Sequence, residues 1–180
     1  TRRSSDLPMS LQIRLAQQRD IVHLMAVERS AAQLFRQQPE WRFIAEGEVM
    51  APQQHAAFIA ERREWLAESD NGECAGFIAV QAQGEDWHIA ELSVAGTWQR
   101  QGIGRRLIGA VAQEAKRQGA GRLTLTTFIE VPWNAPYYRR LGFRPLDDAR
   151  LTAALRRHLD EDLAHGFAAG SRCAMEFTLS

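Results

Sequence analysis

Residues 99–104, with the sequence Gln-Arg-Gln-Gly-Ile-Gly, lie between two segments of opposite pattern, and this arrangement decides the fold. Before them, residues 87–94 (Trp-His-Ile-Ala-Glu-Leu-Ser-Val) mix apolar and polar positions and predict a strand. After them, residues 105–117 have apolar side chains at helical spacing and predict an amphipathic helix. The apolar stripe consists of Leu107, Ile108, Val111, Ala112 and Ala115. The sequence therefore predicts a strand, a glycine-containing turn and a helix in succession.

Such a turn is suited to binding a phosphate group. Gly102 and Gly104 have no Cβ atom, so a ligand can approach their backbone closely. The first backbone N–H groups of the following helix have no partners within that helix and point toward one place. Arg100, Arg105 and Arg106 add positive charge beside them. We therefore expect a pyrophosphate group to bind at this turn.

Two well-known phosphate-binding motifs do not fit the turn. The dinucleotide fingerprint Gly-x-Gly-x-x-Gly would require a glycine where this chain has Leu107. The nucleoside-triphosphate loop ends in Gly-Lys-Ser/Thr, whereas Gly104 is followed by two arginines and by no hydroxyl that could hold magnesium. A glycine-containing turn of this kind can also connect a strand to a helix without binding any ligand. The remaining sequence has to decide between these interpretations.

A second motif follows one strand later. Residues 123–128 alternate and contain threonines, which predicts a strand that Pro132 ends. The next segment predicts a short helix over residues 135–141, begun by Asn134 and ended by Gly142. The chain therefore repeats the order of strand, loop and helix after the first motif.

Together the two motifs resemble those of the GNAT superfamily of N-acetyltransferases. Residues 99–104 match the first family motif, Gln/Arg-x-x-Gly-x-Gly/Ala. Residues 134–143 (Asn-Ala-Pro-Tyr-Tyr-Arg-Arg-Leu-Gly-Phe) match the second motif, which ends in Tyr-x-x-x-Gly-Phe. The resemblance is strongest over residues 75–146 and extends to an opening strand and helix within residues 11–36.

The predicted elements agree with an α+β (mixed α/β) fold. Strands are predicted at residues 11–16, 64–68, 76–83, 86–94, 123–128 and 173–179, and helices at residues 21–37, 52–63, 105–117, 135–141 and 151–167. The apolar residues of segment 38–50 show neither helical nor strand periodicity. The resemblance implies a GNAT-type, largely antiparallel central sheet of about seven strands, flanked by helices and splayed in the middle. We expect one acyl-CoA-dependent N-acetyltransferase domain over residues 1–180, with residues 1–10 as a flexible N-terminal tail.

The composition is typical of a globular enzyme domain. The 180 residues are 45% hydrophobic and 24% charged, and the chain is long enough for one sizeable core. The formal net charge of zero does not indicate a nucleic-acid interface, and no apolar stretch reaches the ~18 residues of a membrane span. Cys74 and Cys173 indicate neither a disulfide framework nor a metal site. We expect a cytoplasmic protein with no metal, no nucleic acid and no membrane among its partners.

The resemblance implies a reaction and a set of site residues. Acetyl-CoA is the implied co-substrate, and its acetyl group moves to a primary amine of a small molecule, amino acid or peptide by direct attack in a ternary complex. The residues expected to bind acetyl-CoA are Leu92, Val94, Gln99, Arg100, Gln101, Gly102, Ile103, Gly104, Arg105 and Asn134. Within this set, the backbone of Leu92 and Val94 is expected to pair with the pantetheine arm. Asn134 is expected to contact that arm, to cap its helix, or to do both.

The resemblance places the general acid at Tyr138 and leaves the general base open. The phenol of Tyr138 has an ordinary pKa close to that of the departing thiol, although a packed helix aromatic is the alternative interpretation. His88 is the favoured candidate base, because its position six residues before Val94 matches a base site of the family and an imidazole titrates near working pH. Glu91 is the rival candidate, and alternation along a strand puts it and His88 on opposite faces. Glu130 and Thr126–Thr127, at the end of the next strand, are weaker candidates, and ordered water is a further alternative.

The acceptor and the assembly remain open at the level of sequence. The acceptor amine has no recognisable signature, and a homodimer is compatible with the chain. A non-catalytic acyl-CoA-binding or regulatory domain is the alternative function. The intact Tyr138 and the uninterrupted turn at residues 99–104 favour an enzyme over this alternative.

Overall fold

The computed structural model describes residues 10–180, so all but the last residue of the predicted N-terminal tail lies outside the described residues. The strands are β1 (Leu11–Leu15), β2 (Glu64–Ser69), β3 (Cys74–Gln83), β4 (Asp86–Val94), β5 (Arg122–Phe128), β6 (Arg144–Pro145) and β7 (Arg172–Thr178). The α-helices are α1 (Ile21–Ala32), α2 (Arg42–Ala45), α3 (Pro52–Ala60), α4 (Ile103–Arg117), α5 (Ala135–Arg140) and α6 (Ala153–Ala164). None of the helices within residues 10–180 has the length and apolar character that crossing a membrane requires.

The strands form one sheet in the order β1-β2-β3-β4-β5-β7-β6. The pairs β1–β2, β2–β3, β5–β7 and β6–β7 are antiparallel, whereas β4 and β5 are parallel. The pairing of β4 with β5 covers residues 86–88 and residues 122–124. The predicted α+β class, with a largely antiparallel sheet of seven strands flanked by helices, is confirmed, whereas the splay in the middle of the sheet stays a prediction.

The chain divides into two compact units. The first consists of the chain up to Val80 and of Glu91–Val111, and the second consists of Gln81–Ala90 and Ala112–Ser180. Each unit has buried apolar side chains of its own, for example Leu66 and Phe77 in the first and Leu123 and Met175 in the second. The prediction that residues 1–180 form a single catalytic domain stays a prediction.

In the first unit, the beginning of α4 rests on the backbone of β3 at Gly76. A Cβ atom at Gly76 would lie 2.8 Å from the carbonyl oxygen of Ser93 and 3.3 Å from Cγ2 of Ile103. Real Cβ atoms do not approach other heavy atoms as closely as 2.8 Å. Only glycine therefore lets β4 and the first turn of α4 pack here as they do.

The predicted apolar stripe of α4 is confirmed in its main features. Leu107, Val111 and Ala115 are fully buried and Ile108 is nearly so. Ala112 is only half-buried, because it lies at the border of the stripe. The helix begins at Ile103, two residues before the predicted start, since the turn of residues 99–102 leads directly into helical backbone.

In the second unit, one buried carboxylate connects three segments of chain. Glu176 of β7 is 2% exposed and forms ion pairs with Arg122 of β5, Arg144 of β6 and Arg150, at N–O distances of 2.7, 2.9 and 2.7 Å. Burial alone would raise the pKa of Glu176, but the surrounding guanidinium groups hold this pKa below its ordinary value. Glu176 is therefore an ionised carboxylate that holds β5 and β6 to β7.

Three of the predicted helices are wrong in their extent. The helix predicted over residues 21–37 ends as α1 at Ala32, and residues 33–37 continue as a 3-10 helix. The helix predicted over residues 52–63 ends as α3 at Ala60, because the backbone turns at Arg62, which has a positive φ of 57°. The helix predicted over residues 151–167 is limited to α6, because the Thr152 hydroxyl caps its start by accepting the Leu155 N–H at 3.2 Å. Residues 38–50 contain a 3-10 turn and the four-residue α2, which are too short to show a period.

The packing at Gly76 predicts a large loss of stability on adding one methyl group. The Gly76→Ala substitution should lower the free energy of unfolding by about 1–3 kcal/mol, because backbone atoms of β4 have to move. Gly109→Ala is the matched control: Gly109 is an exposed residue inside α4, and a Cβ atom there contacts nothing within 4 Å. The control should raise the free energy by about 0.4–1 kcal/mol. Urea unfolding of both variants measures the difference, and equal stability would contradict the packing argument.

Candidate functional site

The turn between β4 and α4 is held in place at its first residues. A 3-10 helix over Gly96–Trp98 follows β4, and Trp98 is 7% exposed. The backbone N–H of Gly96 donates to Oγ of Ser30 in α1 at 2.9 Å. The side-chain amide of Gln99 donates to the backbone carbonyl of Val94 at 2.5 Å. These contacts fix the turn to β4 and α1 before the glycines are reached.

The glycine part of the turn has an unusual backbone. Both Arg100 and Gly102 have positive φ angles, +62° and +75°. Residues other than glycine, such as Arg100, seldom adopt this backbone conformation. Where they do, the turn often serves a function. A Cβ atom at Gly102 would contact nothing within 4 Å, so open space lies beside this residue. Backbone N–H groups in such alternating conformations form concave anion-binding sites, as the sequence predicts here.

The predicted phosphate-binding residues differ in exposure. Arg100, Gln101, Gly102 and Arg105 are exposed, Gln99 is half-buried, and Ile103 and Gly104 are buried. Arg106 has a different role from the one expected, because its guanidinium donates to the backbone carbonyl of Leu11 at 2.7 Å and so holds α4 to β1. All three arginines are exposed and contribute positive charge beside the turn, but the Arg106 guanidinium is held at Leu11.

The C-terminal part of β4 carries Leu92, Val94 and the candidate base Glu91. Leu92 and Val94 are half-buried, and the carbonyl of Val94 already accepts the Gln99 amide. The Ser93 hydroxyl donates to Oε1 of Glu91 at 2.9 Å, so the two side chains lie on the same face of the strand. Glu91 is half-buried and keeps a polar neighbour that orients its carboxylate.

In the second unit, His88 has a buried position at the start of β4. It is 4% exposed, and its Nδ1 lies 2.9 Å from Oγ1 of Thr124. The His158 ring stacks on the His88 ring, with centroids 4.0 Å apart and an interplanar angle of 4°. Burial, with the adjacent His158, lowers the pKa of His88 to about 3. The expectation that His88 titrates near working pH is therefore wrong, because burial opposes its charged form.

Asn134 stands where α5 begins, but its side chain does not cap the helix. Its backbone carbonyl accepts the N–H of Tyr138 at 3.0 Å, and its side chain forms no capping hydrogen bond. Instead, Oδ1 of Asn134 accepts the hydroxyl of Thr127 in β5 at 2.7 Å. The prediction of a side-chain cap is wrong, because the Thr127 hydroxyl competes for the same oxygen. The prediction of a cofactor contact stays a prediction.

The second motif fixes the position of Tyr138. Gly142 has φ of +104°, and a Cβ atom there would lie 3.1 Å from the ring of Phe177, so glycine is required. The N–H of Phe143 donates to the carbonyl of Tyr138 at 3.0 Å, and the two rings meet edge to face at 5.6 Å. Tyr138 is half-buried. The Gly-Phe pair therefore ends α5 and holds the Tyr138 ring from one side.

Comparison with protein families matches residues 28–143 to the Acetyltransferase (GNAT) family. The chain belongs to this family. The match includes both glycine-containing motifs and every predicted site residue.

Several solved structures share the fold of this chain. N-acetylglutamate synthase from Neisseria gonorrhoeae, complexed with coenzyme A and N-acetyl-glutamate, is 19% identical with a TM-score of 0.72; the match covers 95% of this chain but only 35% of that protein. PaiA N-acetyltransferase from Thermoplasma acidophilum, in complex with coenzyme A, is 17% identical with a TM-score of 0.70, over 94% of this chain and 99% of that one. Nourseothricin acetyltransferase is 27% identical with a TM-score of 0.51, over 66% and 65% of the two chains.

Sequence reasoning missed the residues that orient the candidate site residues. The sequence identifies Thr124 only as part of a strand, Thr127 as a strand residue and a weaker candidate base, and His158 only as part of a helix. Alternation along β5 could have placed Thr127 on a different face from its neighbour Thr126, but it could not name a partner. The contact of His88 with His158 joins residues that are 70 positions apart, and no local pattern reports it.

Proposed function

We propose that this GNAT protein is an acetyl-CoA-dependent N-acetyltransferase that acetylates a primary amine by direct attack in a ternary complex. The carrying observation is the turn after β4, where positive φ angles at Arg100 and Gly102 lead into the N-terminus of α4. Two of the GNAT structures named above contain coenzyme A, which supports the same ligand here. The cytoplasm is the proposed compartment.

The pyrophosphate of acetyl-CoA is proposed to bind at residues 99–105. The backbone N–H groups at the start of α4 offer donors and the positive end of the helix dipole. Open space beside Gly102 admits the phosphate oxygens, and the exposed guanidinium groups of Arg100 and Arg105 add charge. The proposed contacts of Leu92 and Val94 with the pantetheine arm use strand backbone, as in the addition of a further strand.

The reaction requires three proton transfers. The acceptor is a protonated amine at neutral pH and has to lose a proton before its nitrogen lone pair attacks the thioester carbonyl carbon. In the tetrahedral adduct the nitrogen carries one excess proton, which it passes to the base or to water. The carbon–sulfur bond then breaks, and the sulfur leaves with the electron pair of that bond. We propose that the Tyr138 hydroxyl protonates this thiolate and regains its proton from solvent, which yields free coenzyme A and the N-acetylated amine.

For removal of the amine proton we favour Glu91 over His88. His88 is almost completely buried, one of its nitrogens contacts Thr124, and His158 covers one face of its ring. Glu91 is half-buried, and the hydrogen bond from Ser93 orients its carboxylate. A carboxylate in this position can accept the proton directly or through one water molecule.

The structural relatives do not identify the acceptor amine, because their names include compounds as different as N-acetyl-glutamate and nourseothricin. A screen of amines, amino acids and peptides for thiol release from acetyl-CoA tests the enzymatic function and finds the acceptor. Coenzyme A binding without amine-dependent thiol release across such a screen would favour the non-catalytic acyl-CoA-binding domain instead.

A charge at Gly102 tests the phosphate site. Asp and Asn have nearly the same shape, and both tolerate the positive φ of this position better than most residues. Gly102→Asp should weaken coenzyme A binding at least tenfold more than Gly102→Asn, because only the carboxylate repels the pyrophosphate. Calorimetric titration with coenzyme A at low and high salt measures the difference. Equal affinity of the two variants would place the pyrophosphate elsewhere.

Removal of one hydroxyl tests the general acid. Tyr138→Phe keeps the ring that contacts Phe143 and should lower kcat by roughly 10²-fold or more, while coenzyme A affinity and thermal stability stay close to the wild-type values. Tyr137→Phe, next along α5, is the matched control and should keep its kcat. The assay has to run where chemistry limits the rate. Equal kcat values for the two variants would assign Tyr138 to packing alone.

The pH profile distinguishes the two candidate bases. Because its pKa is lowered to about 3, His88 stays neutral at every pH from 5 upward, and it cannot cause a loss of activity between pH 7 and 6. His88→Gln should therefore leave the acid side of the kcat/KM profile in place, whereas Glu91→Gln should lower kcat/KM by about 10²-fold or more. Loss of the acid limb in His88→Gln alone would reverse the assignment, and unchanged kcat/KM in both variants would favour ordered water.

A further inference from the structure

The side chain of Asn134 is turned away from the helix that it begins. An asparagine at this position usually accepts a backbone N–H of the first helical turn, but Asn134 makes no such bond. Its Oδ1 accepts the Thr127 hydroxyl at 2.7 Å instead. Asn134 is half-buried, whereas Thr127 is 3% exposed. A buried hydroxyl therefore holds one end of an amide that remains accessible to a ligand.

The contact selects one of the two orientations of the amide. The oxygen end of an asparagine side chain accepts hydrogen bonds, and the amino end donates them. A hydroxyl that donates to Oδ1 directs the Nδ2 amino group away from Thr127. Without that donor, the side chain could exchange its two ends or turn to cap α5, and Nδ2 would face the ligand in only a small fraction of the molecules.

Backbone hydrogen bonds fix the chain around Thr127 and Asn134, which keeps the two side chains in contact. Thr127 pairs with Cys173 across β5 and β7. The loop after β5 is held at both ends, because the N–H of Ile129 donates to the carbonyl of Ser171 and the N–H of Asn134 donates to that of Val131, both at 2.9 Å. The position of Asn134 relative to Thr127 is therefore set by the strand and by its loop.

We propose that Thr127 is a positioning residue, whose hydroxyl orients Asn134 so that Nδ2 donates to a carbonyl oxygen of bound acyl-CoA. This inference rests on the proposed function, because it requires that acyl-CoA binds at Asn134. The carbonyl groups of the pantetheine arm are acceptors, and an amino group is a suitable partner for them. Thr127 does not touch the ligand and acts only through Asn134.

The test is a double-mutant cycle on coenzyme A affinity. Thr127→Val keeps the shape and the β-branch but removes the hydroxyl, and it should weaken coenzyme A binding by about tenfold, the loss expected when roughly a tenth of the molecules keep Nδ2 toward the ligand. The KM for acetyl-CoA should rise by a similar factor, while kcat changes by less than about threefold. Thr127→Ser, which keeps the hydroxyl, should bind within about twofold of wild type. In an Asn134→Ala background, Thr127→Val should have no further effect.

Thr124→Val is the matched control, because Thr124 is a fully buried threonine on the same strand whose hydroxyl contacts His88 instead. This variant should keep wild-type coenzyme A affinity. An equal loss of affinity in Thr124→Val, or an undiminished effect of Thr127→Val in the Asn134→Ala background, would overturn the positioning role.

An NMR titration of the wild-type protein tests the proposal without depending on the folding of any variant. The side-chain amide signals of Asn134 in a nitrogen-15 NMR spectrum should shift when coenzyme A is added, and unchanged signals in a protein saturated with coenzyme A would overturn the proposal. Failure of the wild-type protein to bind coenzyme A would overturn the proposed function itself. The two failures are therefore distinguishable.

Discussion

The missing side chain at Gly76 determines how α4 can begin. The carbonyl oxygen of Ser93 and Cγ2 of Ile103 occupy the space that a Cβ atom would need, so β3, β4 and the first turn of α4 meet without an intervening side chain. The start of α4 sets the direction of its first N–H groups, on which the proposed phosphate site depends. Ser93 also donates its hydroxyl to Glu91. One close contact thus fixes the helix start and the strand segment that carries the favoured base.

The second unit depends on the pairing of β5 with β7. These strands pair along their whole length, and Glu176 reinforces them by binding Arg122. Thr127 of β5 holds the beginning of α5 through Asn134, and Phe177 of β7 packs where Gly142 ends that helix. Although α5 has only six residues and cannot be stable alone, both of its ends are attached to paired strands. The position of Tyr138 follows from those attachments.

The sequence predicted the long elements well because each of them repeats a pattern several times. The bounds of β4 agree with the prediction at both ends, and α4 differs only at its start. The short elements failed for the opposite reason, since the two residues of β6 and the four of α2 contain no full period. The motifs also supplied the residues of the candidate site, whose roles stay predictions. They did not give the protonation state of His88, which depends on burial and on His158.

The orientation of a candidate side chain and its pKa depend on residues at different distances along this chain. Three hydrogen bonds that orient candidate residues are short in sequence separation, namely Ser93 to Glu91, Gln99 to Val94 and Thr127 to Asn134, whereas the contact of His88 with Thr124 spans 36 positions. Such pairs belong to one strand or to a strand and its adjoining loop, so the local chain can place a donor beside its acceptor before the rest of the fold forms. A pKa instead depends on how much water every surrounding element excludes. His88 shows the difference, because His158 of α6 stacks on its ring from 70 positions away. A motif can therefore specify which residues enter a site, and a nearby partner can orient them, while their proton affinity has to be determined from the folded molecule.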